Sequence, residues 1–278
     1  MKGRKPMSLN RDSLKEKKRV VIKIGSSSLI HPETGRLNLT RMEKLVRILV
    51  DLRNEGKDVC LVSSGAIAAG RVSAGLKTRP DTLPVKQACA AVGQANLIMV
   101  YQKLFSEYGT NIGQVLLTRI TMEHEVMRKN SHNTFEELFS MGVIPIVNEN
   151  DSISTEEIEQ VSTFGDNDRL SAMVLELIQA DLLILMSDID GMYTDDPKQN
   201  PDAELITEVV DISTDLRHMA KDTAVAGFGT GGMSAKLTAA DIVMRNGKYM
   251  LIINGNNPEN IRRAIDGEEI GTLFIGNK

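Results

Sequence analysis

The sequence contains few of the residues that build metal clusters, disulfide frameworks or histidine-based catalytic sites. Among 278 residues there are two cysteines and four histidines. Cys60 lies inside an apolar run and Cys89 in an alanine-rich helical stretch, and neither has a partner at metal-ligand spacing. We therefore expect both to be buried thiols in a reducing compartment, which favours a cytoplasmic location. The histidines are scattered and none ends a predicted strand, so we assign them no catalytic role.

Long apolar runs are also missing, and we therefore expect no membrane-spanning helix. Apolar residues make up 41% of the chain, but charges interrupt every run well before the roughly 20 residues that a span requires. Residues 1–19 are basic without an apolar core, which argues against a secretory signal. We expect residues 1–17 to form a disordered basic tail.

The charge distribution disfavours nucleic acid as a partner. Residues 1–19 contain eight Lys or Arg and two Asp or Glu, a formal charge of +6. Since the whole chain carries −4, the remainder carries −10. A body this acidic repels a phosphate backbone.

Short apolar runs alternate with longer helical patterns along the chain. Most of the runs are apolar on both faces, as expected of parallel strands that helices cover. We find no internal repeat, low-complexity tract or linker, which predicts a single domain over residues 18–278. The alternation predicts an α/β fold with a mostly parallel sheet. The runs lie at residues 20–24, 59–62, 112–117, 143–147, 182–186 and 249–253.

Small and polar residues follow five of these six runs, where each strand is expected to end. The carboxyl ends of parallel strands share one edge of a sheet, and ligands bind at that edge. Five clusters together therefore predict a ligand site. The clusters are Gly25-Ser26-Ser27-Ser28, Ser63-Ser64-Gly65-Ala66, Asn148-Glu149-Asn150-Asp151, Ser187-Asp188 and Asn254-Gly255-Asn256.

Two lysines stand beside glycine-rich turns and point to phosphate chemistry. Lys23 closes the first apolar run just before Gly25, and Lys236 follows a glycine-rich stretch at residues 227–232. Phosphoryl transfer needs positioning, positive charge and backbone N–H groups around the moving phosphate. The alternative for Lys23 is an edge-strand lysine that reaches solvent. The alternative for the glycines is a helix entry that needs their backbone freedom.

The glycine-rich stretch contains a literal G-x-G-x-x-G at Gly227, Gly229 and Gly232. No strand directly precedes it, so it is a poor dinucleotide fingerprint. It is not a P-loop either, because Gly-Lys-Ser/Thr does not follow a four-residue gap. We expect a turn that leads into a helix near Gly232, with N–H groups suited to phosphate.

The remaining polar clusters suit an amino-acid acceptor. Ser64 and Gly65 precede a helical segment whose N–H groups can hold a carboxylate, although Ser64 as a plain N-cap is an equal alternative. Carboxylates at residues 148–151 and 166–168 can hold an ammonium group, orient the lysines or act through Mg²⁺. Asp166 as a helix N-cap and Asp168 as a charge at the helix N-terminus are the alternatives.

Seven sequence strings, in this order, resemble the glutamate 5-kinases of the amino acid kinase superfamily. The resemblance spans about residues 18–275 and implies an αβα three-layer sandwich with a mostly parallel central sheet. It implies an acceptor-binding part at about 18–180 and an ATP-binding part at about 181–278. Many relatives carry a further C-terminal domain of the PUA type, and we expect none in this chain. The strings are KIGSSSL, SSGAIAAG, QACAAVGQ, VNENDS, GDNDRLSA, SDIDGMYTDDP and GFGTGGMSAK.

The resemblance also implies an activity and partners. In this family ATP, with Mg²⁺, phosphorylates the side-chain carboxylate of L-glutamate in the first step of proline biosynthesis. It implies feedback inhibition by proline, a homo-oligomer (dimer or tetramer) and functional coupling to glutamate-5-semialdehyde dehydrogenase.

Carried over residue by residue, the resemblance assigns roles to named positions. Lys23 and Lys236 match the lysines that bind the transferred phosphate, and Asp168 matches the aspartate that orients them. The glutamate-binding positions are Ser64, Gly65, Asp151, Asp166 and Asn167. The ATP-binding positions also include Gly25, Ser26, Ser187, Asp188, Thr230, Gly231, Gly232, Met233, Ser234 and Ala235. Direct metal ligands stay unassigned.

Three alternatives remain open. The first is a kinase of the same fold that acts on aspartate, N-acetylglutamate, carbamate or a nucleoside monophosphate; the Asp151 and Asn167 pair favours a free ammonium group instead. The second is a non-catalytic amino-acid or nucleotide sensor, against which both lysines and Asp168 argue. The third is a dehydrogenase, for which only the glycine string speaks.

Overall fold

The computed structural model describes residues 9–153, 167–197, 199–214, 216–217 and 232–276. Strands in these ranges are β1 (Arg19–Ile24), β2 (Asp58–Ser63), β3 (Ile112–Leu117), β4 (Ile144–Glu149), β5 (Leu182–Ser187), β6 (Met192–Tyr193), β7 (Leu205–Ile206), β8 (Glu208–Val209), β9 (Tyr249–Asn254) and β10 (Thr272–Ile275). Helices in these ranges are α1 (Leu9–Asp12), α2 (Ser26–Leu29), α3 (Leu39–Asn54), α4 (Ala66–Ser73), α5 (Leu83–Ser106), α6 (Arg119–Glu123), α7 (Glu125–Ser140), α8 (Asn167–Leu177), α9 (Met233–Arg245) and α10 (Glu259–Ile265).

Eight of the described strands form one sheet in the order β3-β4-β2-β1-β5-β9-β10-β8. Every neighbouring pair is parallel except β9 and β10, which run antiparallel. All six apolar runs are strands of this sheet, which confirms the predicted mostly parallel architecture. β10 and the two-residue strands β6, β7 and β8 were not predicted, because they are too short to show a pattern.

Helices cover both faces of the sheet, which confirms the αβα three-layer sandwich. One core lies between the sheet and α3, α5 and α10, and the other lies between the sheet and α7, α8 and α9. Successive residues of β1 alternate between these cores: Ile22 and Ile24 face the first, and Val21 faces the second. Lys23 shares the parity of Val21, so the pleat directs it to the side of α8 and α9.

The strand ends meet at one edge, as expected. The register aligns Ile24 with both Ser63 and Met186 on the two neighbouring strands. From β1 the chain continues to β2 on one side and reaches β5 on the other, so the strand order reverses at β1. In open parallel sheets the ligand crevice opens at this reversal point.

The N-terminal segment differs from the disordered tail predicted for residues 1–17. From residue 9 onward it forms α1 and a 3₁₀ turn, and Leu14 is buried in the first core. Arg11 is 1% exposed and donates hydrogen bonds to carbonyl oxygens across the chain, among them Thr207 (2.7 Å) and Ile270 (2.8 Å). Basic composition suggested solvation, but Nη1 and Nη2 of this guanidinium donate to backbone carbonyls that the sequence does not place near it.

None of the described helices combines the length and the hydropathy needed to cross a membrane. Cys60 and Cys89 are both buried free thiols, as predicted. Burial raises the pKa of the Cys60 thiol, which keeps it protonated at neutral pH.

Candidate active site

A single buried carboxylate joins the two lysines that the sequence singles out. The Nζ atom of Lys23 lies 2.5 Å from Oδ1 of Asp168. The Nζ atom of Lys236 donates a hydrogen bond to Oδ2 of the same carboxylate at 3.0 Å. The exposed fractions are 7% for Lys23, 6% for Lys236 and 0% for Asp168. Two distant segments of the chain therefore converge on one charge-paired centre.

The fold explains this convergence. α8 connects β4, on one side of β1, to β5 on the other side, and Asp168 sits in its first turn. Lys236 is the fourth residue of α9 and lies in its first turn. α9 packs beside α8 on the same face of the sheet. Lys23 is on the central strand β1, so the edge-strand alternative is wrong.

The charges of this cluster leave a net positive site. Burial alone would favour the neutral form of Asp168, but the two ammonium groups lower its pKa to about 2. The carboxylate is therefore ionised at neutral pH. Two ammonium groups and one carboxylate leave one positive charge in a poorly hydrated place, which suits a phosphate group.

Two glycines lie on the side of this cluster that is next to β5 and β9, where the sequence predicts the nucleotide. A Cβ atom at Gly25 would lie 3.6 Å from Nζ of Lys23, so a larger side chain there would crowd the ammonium group. A Cβ atom at Gly255 would lie 2.7 Å from Oγ of Ser28 and 3.0 Å from Cβ of Met186. A side chain at Gly255 would therefore force Ser28 or Met186 to shift, which its place in a strand-end cluster did not reveal.

The other described residues that the sequence predicts to bind ATP lie at the same edge. Ser26 begins α2 directly after Gly25. Ser187 ends β5, and its Oγ donates to Oδ1 of Asp188 at 3.1 Å. Gly232 is the N-cap of α9, whose first turn holds Met233, Ser234 and Ala235. Thr230 and Gly231 lie outside the described residues.

The residues predicted to bind the acceptor are arranged around Asn167, the neighbour of Asp168. Its Nδ2 donates to Oγ of Ser64 at 2.6 Å and to Oδ1 of Asn148 at 3.2 Å. The acceptor side and the lysine cluster are therefore attached to the same helical turn. Asp151 follows β4 at this edge and is half-buried. Asp166 lies outside the described residues.

The segment that precedes α4 does not use its serine as a cap. Gly65 occupies the N-cap position with φ +104°, a left-handed conformation that favours glycine. The hydroxyl of Ser64 accepts from Asn167 instead, so the N-cap alternative is wrong. The first N–H groups of α4, which have no partner within the helix itself, follow closely on Ser63 at the end of β2.

Asn148 belonged to a predicted strand-end cluster but was given no role of its own. It is buried at the end of β4, and its Oδ1 accepts from Asn167 and from the backbone N–H of Glu149. An amide that closes an otherwise apolar strand was the available signal, because a buried polar group requires partners.

The fold and site define a phosphotransferase architecture, and comparison with known proteins agrees. The amino acid kinase family model matches residues 18–254. The chain therefore belongs to the amino acid kinase family.

Curated relatives of high similarity carry one name, glutamate 5-kinase. The Enterococcus faecalis protein is 48% identical over 265 residues, covering 95% of this chain and 97% of the relative. The Listeria monocytogenes serovar 1/2a protein is 49% identical over 268 residues, covering 96% of each. The Clostridium perfringens protein is 48% identical, covering 96% of this chain and 99% of the relative.

Solved structures of low identity share the fold. Isopentenyl phosphate kinase of T. acidophilum has a TM-score of 0.61 at 18% identity, covering 92% of this chain and 100% of that one. UMP kinase from Bacillus anthracis has a TM-score of 0.58 at 15% identity, covering 94% and 97%.

Proposed function

We propose that the protein transfers the γ-phosphate of ATP to the side-chain carboxylate of L-glutamate. The product is L-glutamyl 5-phosphate, made in the first step of proline biosynthesis. The observation that carries the proposal is the pairing of Asp168 with both Lys23 and Lys236. This cluster lies between the residues proposed to bind ATP and those proposed to bind glutamate. Relatives that share 48–49% identity over nearly the whole chain and are named glutamate 5-kinase support it.

The acceptor needs no general base. A glutamate side chain has a pKa of about 4.3, so it is already an ionised nucleophile at neutral pH. The site accordingly relies on hydrogen-bond donors and cations. We assign Ser64, the N–H groups at Gly65 and the first turn of α4, and Asn167 to holding the substrate, with Asp151 and Asp166 on its ammonium group.

The lysines offset the repulsion between two anions. A carboxylate oxygen of glutamate forms the new P–O bond while the bond from phosphorus to the β,γ-bridging oxygen breaks, and ADP leaves with that electron pair. Lys23 and Lys236 stabilise the negative charge of the transferred group. Asp168 holds both ammonium groups in place and offsets their mutual repulsion before the nucleotide binds.

We propose protein contacts for ATP, whereas Mg²⁺ would be held mainly by the phosphates of ATP and by water. Gly25, Ser26, Ser187, Asp188 and residues 230–236 are the proposed nucleotide contacts. Within the described ranges no three His, Cys, Asp or Glu residues are grouped to hold a metal ion. Mg²⁺ is usually held by substrate phosphates, water and one or two carboxylates, so we expect it to enter with ATP. It supplies charge neutralisation on the phosphates.

A hydroxamate assay tests the reaction. Purified protein, L-glutamate, Mg-ATP and hydroxylamine should yield γ-glutamyl hydroxamate, because hydroxylamine traps the acyl phosphate. Aspartate, N-acetylglutamate, carbamate and nucleoside monophosphates serve as alternative acceptors. They are compared by ADP release, because hydroxylamine does not trap a nucleoside diphosphate, and should give little ADP. A sensor would bind glutamate without turnover. No glutamate-dependent product would contradict the proposed function.

We also propose inhibition by proline, a cytoplasmic location and use of the product by glutamate-5-semialdehyde dehydrogenase. Proline carries the α-ammonium and α-carboxylate groups of glutamate, so it can compete for the groups around Asp151 and Asn167. The product, an acyl phosphate, hydrolyses readily, which favours prompt reduction by a partner enzyme. Adding proline to the hydroxamate assay, at varied glutamate, measures the inhibition directly.

An apolar stripe on α5 supports assembly into a homo-oligomer. Val85, Val92 and Met99 are spaced seven residues apart and are 39%, 43% and 63% exposed. Exposed alanines at positions 88, 91 and 95 lie between them. The stripe extends about 20 Å along the helix. We propose a second copy of this chain as its occupant, since the stripe carries no charge to oppose the same surface on another copy.

Replacing Val92 by glutamate is expected to yield monomers, because the change places a charge at the centre of the contact and repeats it on the partner. Size-exclusion chromatography with light scattering measures the mass. Asn133→Glu, on the exposed surface of α7 in the opposite layer, is the matched control and should leave the mass unchanged. A monomeric wild type, or an unaltered oligomer in the Val92 variant, would contradict this proposal.

A further inference from the structure

Helices α4 and α5 contact each other backbone to backbone at two glycines. A Cβ atom at Gly93 would lie 1.7 Å from the carbonyl oxygen of Ala66 and 2.7 Å from the nitrogen of Gly70. A Cβ atom at Gly70 would lie 1.8 Å from the carbonyl oxygen of Cys89. No side chain, not even a methyl group, fits at either position without moving one helix.

Close approach, and not backbone conformation, requires these glycines. Neither Gly70 nor Gly93 has a positive φ, and both lie inside helices. A glycine inside a helix is less favourable than alanine, so two at one crossing indicate that the short distance itself matters.

The crossing of α4 and α5 adjoins Ser64 and Gly65, which we assign to holding the acceptor. Ala66, whose carbonyl abuts Gly93, is the first residue of α4 and follows Ser64 and Gly65. The next residue of α5, Gln94, donates to the carbonyl oxygen of Glu149 at 3.3 Å. α5 therefore contacts two of the chain segments that carry acceptor-side residues, the one at Ser64 and Gly65 and the one at the end of β4.

One further contact joins α5 to the same region. The hydroxyl of Tyr101 lies 2.9 Å from Oγ of Ser63, the residue before Ser64, and both groups are buried. Burial raises the pKa of Tyr101, so the phenol stays protonated and can donate or accept. By contrast, Lys23, Asp168 and Lys236 belong to β1, α8 and α9.

We propose that Gly70 and Gly93 are positioning residues that set the depth of the glutamate pocket by fixing α4 against α5. A methyl group at either position has to displace the start of α4 by at least about 1 Å, since a Cβ atom does not approach closer than 3.0 Å. That displacement breaks the 2.6 Å bond between Ser64 and Asn167 and leaves the lysine cluster in place. The inference rests on the proposed function, because it assigns the pocket to glutamate.

Gly93→Ala tests the proposal because it should weaken the binding of glutamate and leave the binding of ATP unchanged. The KM for glutamate should rise on the order of tenfold or more, as expected when a substrate is misplaced by about 1 Å. The KM for ATP should stay within about twofold. Glutamate should no longer raise the melting temperature, whereas Mg-ATP should still raise it. Asn133→Ser, on the exposed surface of α7 and outside both the pocket and the α5 stripe, should change none of these values.

Two further variants keep the test decisive if Gly93→Ala does not fold. Gly70→Ala places the same methyl on the other helix and should give the same result. Gln94→Leu removes the hydrogen bond to Glu149 together with a long 3.5 Å bond from Gln114. It should raise the KM for glutamate about fivefold, as for one lost neutral hydrogen bond. Unchanged glutamate KM, or equal rises for glutamate and ATP, in the folded variants would overturn the positioning role. Absence of product from the wild type would instead refute the proposed function.

Discussion

Replacing Lys236 by methionine is expected to lower turnover by about a hundredfold or more while the protein stays folded. Methionine keeps most of the apolar stem and removes the ammonium group. The transferred phosphate then loses one of two cations that stabilise it in the transition state, and a lost donor of this kind costs about 10²–10³ in turnover. The hydroxamate assay at saturating ATP and glutamate measures the effect. The KM for glutamate should change little, since Lys236 contacts neither Ser64 nor Asn167 among the described hydrogen bonds.

Lys248→Met is the matched control for this experiment. Lys248 also forms an ion pair, with Nζ 3.2 Å from Oδ1 of Asp181, but that pair is partly exposed and lies at the opposite end of the strands. Its loss should leave turnover within about twofold and cost at most about 1 kcal/mol of stability. Turnover of Lys236→Met within tenfold of the wild type would contradict the assigned role.

Replacing Asp168 by asparagine is expected to destabilise the ligand-free protein by about 3–5 kcal/mol, the cost of leaving buried charge without its partner. The carboxylate separates two buried ammonium groups, and the amide does not neutralise them. The phosphates of ATP supply negative charge at the same place. The rise in melting temperature on adding Mg-ATP should therefore be larger in the variant than in the wild type.

Urea unfolding with and without Mg-ATP measures both effects. Asp58→Asn provides the control, because Asp58 pairs with Arg19 at 3.0 Å in a partly exposed position and should cost at most about 1 kcal/mol. A loss below about 1 kcal/mol in Asp168→Asn, or an unchanged response to Mg-ATP, would show that the carboxylate does not hold the two lysines as described.

The stability that Asp168 contributes depends on pH in a defined direction. Its pKa falls from 3.8, the ordinary value, to about 2 in the folded protein. A depressed pKa means that the contribution is fully present above about pH 4 and is lost as the pH falls towards 2. The stability difference between wild type and Asp168→Asn should therefore shrink across that window.

Local sequence patterns were sufficient to predict the main strands of the sheet and the edge at which the site lies. Short runs that are apolar on both faces identified β1 to β5 and β9, since a covered parallel strand has no polar face. Polar residues at the ends of those strands located the site, because the geometry of a parallel sheet brings those ends to one edge. Lys23 was recognisable because a charge inside an apolar strand requires a partner.

The sequence did not reveal contacts that depend on distant segments. Arg11 reads as part of a basic tail, yet its partners are carbonyl oxygens near the C-terminal end of the chain. Gly70 and Gly93 read as unfavourable helix residues until the two helices are seen to cross at them. Nothing in the local pattern around Asp168 shows that one carboxylate binds both lysines.

The most direct test of the account is a crystal structure with a non-hydrolysable ATP analogue, Mg²⁺ and glutamate, in which two distances are measured. The account predicts that the Nζ atoms of Lys23 and Lys236 both lie about 2.7–2.9 Å from oxygens of the γ-phosphate, the usual length for such charged bonds. Glutamate should lie between that phosphate and Asn167. A structure that places either ammonium group in a separate pocket, away from the γ-phosphate, would contradict it.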